Sequence, residues 1–149
     1  MLTRDYLISA LVGQVPEILN EEQILEGSGM DTILDMLMNL RGVCFPAVVL
    51  EKRTAGTIQL VEGPLDTYTE SLWVMEQLGR EEEEDQIYHE ARMLSLSVLR
   101  RLLAEYKRGE PLLEGWDFQR ITYMKRAGGQ NARGWEIVLT FKVNFSLLD

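Results

Sequence analysis

The strongest alternation in the chain lies near its C-terminus. Trp135, Ile137, Leu139, Phe141, Val143, Phe145 and Leu147 take the odd positions of one stretch. Glu136, Val138, Thr140, Lys142, Asn144 and Ser146 take the even ones. A period of two predicts a strand with one buried face and one mostly wet face. At ~3.3 Å per residue this stretch would span roughly 40 Å, so part of it is expected to project or to pair with a neighbouring subunit. A different period governs residues 83 to 107. Ile87, Ala91, Leu94, Val98 and Leu102 form one stripe, widened by Leu99, Leu103 and Tyr106, which predicts a long amphipathic helix. Acidic residues 81 to 85 lead it and Arg100, Arg101, Lys107 and Arg108 crowd its end, the order that the helix dipole favours. Gly109 and Pro111 stop it.

Shorter patterns fill the rest. Thr3 can cap a helix to Leu11, with Tyr6, Leu7, Ala10 and Leu11 on one face, halted by Gly13 and Pro16. Residues 13 to 29 read as acidic and irregular, with a short helix near Glu21 to Leu25, and are expected on the outside. Ile33, Met36, Leu37 and Leu40 predict a helix from Asp31 to Leu40, ended by Gly42. Met30, Met36 and Met38 are expected to fill core gaps. Strands are predicted at Phe45 to Lys52, Thr57 to Val61 and Thr67 to Leu78, with turns at 53–56 and Gly63-Pro64. Large apolar groups on both faces at Leu72 to Met75 make the third strand central or doubly covered. A fourth strand is predicted from Phe118 to Lys125. The eight residues Ala127 to Gly134 then form a mobile glycine-rich hairpin tip. Hairpins outnumber crossovers. The expected class is α+β, a mainly antiparallel sheet of about five strands with a long helix packed on one face and N-terminal helices. One domain is expected over 1–149, with 1–29 peripheral and 30–149 as the α+β core.

With 149 residues, 46% of them hydrophobic and 26% charged, the chain can bury a core without disulfides or metals. Its net charge of -9 opposes non-specific binding to nucleic acid. Residues 115 to 149 depart from that balance, with five basic residues (Arg120, Lys125, Arg126, Arg133, Lys142) against three acidic. An acidic body with a basic hairpin permits copies to stack head to tail, and a solvated charge imbalance explains the same numbers. Cys44, in an apolar context, is expected to be a buried thiol in a reducing compartment. The first residues lack a signal-peptide pattern and no apolar run approaches 18 residues.

The residue types that carry chemistry lack partners at useful spacing. His89 is the only histidine, and with Met93 one turn away it makes a thin metal site, so it is expected at the boundary of the helix's packed face. Gly128, Gly129 and Gly134 fail as a phosphate cradle because they separate two strands instead of opening a helix. Glu51, Glu62, Asp66, Glu70 and Glu76 fall on or near strands, as in a metal-dependent hydrolase or nuclease, but without the accompanying lysine. The buried strand face accounts for Trp135 and Phe141, a central strand for Trp73, and the start of the fourth strand for Trp116. Trp73 or Trp116 as an interface anchor is the alternative. No catalytic residue, metal or cofactor is expected.

Two stretches look familiar together. Asp35-Met36-Leu37-Met38-Asn39-Leu40-Arg41-Gly42-Val43-Cys44-Phe45-Pro46-Ala47 turns a helix into the first strand. Gly134-Trp135-Glu136-Ile137-Val138-Leu139-Thr140-Phe141-Lys142-Val143 opens a long terminal strand with Gly-Trp, and Ser71-Leu72-Trp73-Val74-Met75 lies between them. With the helix before a final hairpin, this pattern resembles phage and prophage tail terminator or tail completion (minor tail) proteins. The resemblance implies a homo-oligomeric ring, commonly a hexamer, that caps the tail tube at its head-proximal end and meets head-completion proteins. It implies assembly in the host cytoplasm and incorporation into a virion or tail-like particle, with no membrane and no sequence-specific nucleic acid. An acidic lumen would let DNA pass. No catalytic residues carry over. The hairpin residues Gly128, Gly129, Gln130, Asn131 and Arg133, with Arg120 and Arg126 on the stems, are the expected oligomer or partner interface. The runner-up is a non-enzymatic binding module of a mobile element, docking through its terminal strand or hairpin.

Overall fold

The frame of the molecule is one long strand pair. The computed structural model describes residues 1–38, 43–52, 56–79 and 83–144. Strand β4 (Leu65–Gln77) pairs antiparallel with β6 (Ala132–Asn144) along their whole length, from Leu65↔Asn144 to Gln77↔Ala132. Each supplies 13 residues, so the length expected to project is instead matched within the chain. The expected strand end at 145–147, the helix end at 39–42 and the turn at 53–55 lie outside the described residues.

Four strands complete the sheet: β1 (Ile24–Gly27), β2 (Ala47–Glu51), β3 (Gly56–Gln59) and β5 (Thr122–Gly128). The order is β1-β2-β4-β6-β5, with β3 paired to β4. Only β1–β2 is parallel. β2 takes Ser71–Met75 of β4, while β3 takes Leu65–Tyr68 further along the same edge. The class is α+β, as the pattern predicts.

Helices cover both faces. α1 (Arg4–Leu11) and the long α3 (Glu84–Lys107) lie on one side. There Leu7, Leu11, Leu94, Val98 and Leu102 meet Val48, Leu72, Ile137 and Phe141. The predicted α3 stripe is buried as drawn. Arg101 ties the two helices by donating from Nε to the Ala10 carbonyl at 2.9 Å. α2 (Met30–Met38) covers the other face, where Ile33 and Leu37 pack against Val49, Trp73, Met75 and Ala132. Trp73 therefore has apolar cover and is fully buried, as a doubly covered strand requires.

Several expectations are corrected. Residues 13 to 29 are not an outer irregular segment: Val15, Ile18 and Ile24 enter the core, and β1 adds a sixth strand. Gln23 makes this possible. Its amide donates to Glu17 O and Pro46 O and accepts from the Leu19 and Asn20 N–H groups, so one buried side chain satisfies four backbone groups and ties 17–20 to the start of β2. Met30 and Met38 are exposed because α2 buries only one narrow face. Cys44 is exposed, lying before β2 starts, and His89 is exposed on the outer side of α3.

Candidate functional site

The hairpin expected to be a mobile tip is short and docked. β5 runs on to Gly128 and β6 starts at Ala132, so only Gly129, Gln130 and Asn131 turn the chain. The predicted fourth strand is displaced to 122–128, which leaves Arg120 exposed in the lead-in and off the stem. A Cβ on Gly128 would lie 2.7 Å from Leu37 Cβ, and one on Gly129 2.8 Å from Met38 Cγ. A Cβ on Gly134 would run into the Val74 carbonyl oxygen of β4. These glycines serve close approach to α2 and β4; mobility is not their role. The Leu78 N–H donates to Asn131 O at 2.7 Å, holding the turn from the other side.

The basic residues of the hairpin are largely engaged within the chain. Arg133 pairs with Glu84 at the start of α3 at 2.8 Å. Arg126 donates to Glu136 Oε1 from Nε at 2.9 Å, pairs with it through Nη2 at 2.8 Å, and lies over the Trp73 ring. Ser71 Oγ donates to Glu136 Oε2 at 2.8 Å. Glu136 is only 2% exposed although it sits on the face predicted to be wet, because Arg126 and Ser71 close over it beside buried Trp73. Lys142 lies 3.8 Å from Asp117.

The strand carboxylates do not converge. Glu70 projects into the α1–α3 side, where its oxygens accept the Leu2 N–H at 3.1 and 3.2 Å. Burial pushes its pKa up, partly offset by that N–H and by Lys52. Glu51, in register with Ser71, belongs to the opposite face. Glu62 and Asp66 sit at the β3–β4 end of the sheet. Among the described residues, no three His, Cys, Asp or Glu side chains are grouped to hold a metal.

Two exposed apolar features remain, which the residue pattern had not marked. The first is an arm, β3 and its turn into β4. Ile58, Leu60 and Val61 on it are 62%, 58% and 72% exposed. The second is a cleft of about 50 Å³ between α3 and β5, lined by Arg92, Leu96, Leu99, Ile121, Tyr123 and Trp135. It is too small for most organic ligands, which occupy roughly 300–1,000 Å³. An open depression of about 560 Å³ beside Tyr106, Glu110 and Glu114 is shallow. Trp73 and Trp116 are buried and unavailable as interface anchors. The terminal strand is likewise occupied: β4 takes one edge of β6, β5 takes 132–138 of the other, and Gly115 and Asp117 bond Lys142 and Thr140 beyond it.

No protein-family model matches the chain, and no curated protein matches it. No helix among the described residues is long and apolar enough to cross a membrane.

Proposed function

We propose that the chain is a structural assembly protein of a phage or prophage tail, similar to a tail terminator. It self-associates into a ring, caps the tail tube, and works by docking and not by catalysis. It is made in the host cytoplasm and ends in the virion or tail-like particle. Its partners are copies of itself, tail-tube subunits and head-completion proteins, with no cofactor.

The observation that carries the reading is the exposed arm. Three large aliphatics face water here, Ile58 on β3 and Leu60 and Val61 in the turn that follows it, and β3 has one partner, β4, among the described residues. Contiguous apolar surface on an edge strand is an aggregation hazard unless another protein covers it. The opposite end of that edge is treated differently: Arg4 Nε donates to Ile24 O at 2.7 Å and blunts β1. The β1 end of this edge thus carries a side-chain cap, while the arm presents apolar side chains to water, as an assembly contact would use.

The test is electron imaging of purified protein alone and mixed with preassembled tail tubes. Closed rings, and density at one tube end only, are expected. Protein that forms no rings alone, or tube ends that carry no added density, would contradict the proposal.

A further inference from the structure

We infer that the Leu60–Val61 tip of the arm seats in the cleft beside Tyr123 on a second copy of the chain, joining copies head to tail. This rests on the assembly reading and names its contact.

Position makes the contact intermolecular. The arm leaves β4 at Leu65, on the β2 side of the sheet. The cleft lies on the β5 side, against Trp135 and Ile137, which pair with Val74 and Leu72. The two are on opposite edges and about seven residues apart along β4, roughly 23 Å. The chain cannot fill its own cleft with its own arm.

Size and charge match. A cleft of about 50 Å³ takes a branched aliphatic side chain. Its floor is apolar, from Leu96, Leu99, Ile121 and Trp135. Its rim is basic: Arg92 lies over the Tyr123 ring and bonds its hydroxyl at 3.3 Å, and Lys125 lies over Tyr88 and Trp135. Exposed Arg120 adjoins Ile121. The arm from Gly56 to Asp66 carries two charges, Glu62 and Asp66, both acidic. Apolar tip and acidic flank therefore face apolar floor and basic rim. Two different surfaces joined in this way make a heterologous contact, which either closes a ring or grows a filament.

Such a contact has a signature in mixtures. Leu60→Asp disables the arm and leaves the cleft; Tyr123→Glu disables the cleft and leaves the arm. Both residues are exposed, so the fold is expected to survive, checked by circular dichroism and thermal midpoint. If Tyr123→Glu fails to fold, Lys125→Glu on the same rim replaces it. Masses are read by light scattering beside the unmodified chain. We expect each variant alone at the 17.1 kDa chain mass, and a one-to-one mixture at twice that mass, since one intact contact forms and cannot propagate. Variants that keep the oligomer of the unmodified chain would overturn the arm–cleft contact while leaving self-assembly standing. A mixture that stays at the chain mass would also overturn it. An unmodified chain that is itself monomeric would remove the assembly reading and this contact together.

Discussion

Glu136 shows how much a single residue depends on its neighbours. It is a carboxylate inside the sheet layer, tolerable because Arg126 and Ser71 bond it. Arg126→Met should cost about 3 kcal/mol of stability, because it takes the guanidinium from a buried carboxylate; urea denaturation would measure this. Gly134→Ala should cost at least as much, about 3 kcal/mol, since the Val74 carbonyl already occupies the space of a Cβ. Glu70 sets a pH dependence. Its pKa is raised in the fold, so the native state holds the proton more tightly than the unfolded chain. Stability therefore falls as pH rises from the ordinary carboxylate range through the raised value. Glu70→Gln keeps an acceptor for the Leu2 N–H and removes that slope. Denaturation midpoints of the two proteins should converge at the acid end and separate towards neutrality, with the variant the more stable. Parallel curves would show that Glu70 is not the titrating group. Tyr6 adds a weaker case: burial pushes its hydroxyl up to about 12, and that oxygen has no hydrogen-bond partner among the described residues.

At the scale of elements, the hairpin is held in place by α2. Gly128→Ala would push a methyl group into Leu37 and should cost about 1–3 kcal/mol, seen as a lower thermal midpoint. Deleting Gly128 to Asn131 would remove the turn and the last residue of β5, so it should unfold the β5–β6 pair and cannot serve as a clean test of assembly. What the sequence showed of these elements follows their regularity. The α3 stripe and the odd face of β6 read correctly because each buries one face against one neighbour. β1 was illegible because its burial comes from scattered residues and a polar clasp, Gln23. Glu136 read as wet because its cover, Arg126 and Ser71, comes from other strands, while Lys142 and Asn144 further along that face are exposed as the alternation predicts. Three glycines read as a flexible tip because sequence does not distinguish glycine that moves from glycine that admits a neighbour. The arm was legible as a strand, but its exposure depends on β2 and β3 sharing one edge of β4, which only the register reveals.

For the whole molecule, the net charge of -9 hides a finer distribution. Most hairpin cations face inward partners, while Arg92, Arg120 and Lys125 remain on the cleft side and Glu62 and Asp66 on the arm. An assembly built on that opposition should weaken as salt rises, because exposed charges are screened beyond about 8–10 Å at physiological ionic strength. Sedimentation at low and high salt would show the shift. The claim on which the account turns is self-association of the unmodified chain. Light scattering across a dilution series tests it most directly. The account predicts a mass at a fixed multiple of 17.1 kDa that falls towards the chain mass only on dilution. A mass of 17.1 kDa at every concentration would contradict it.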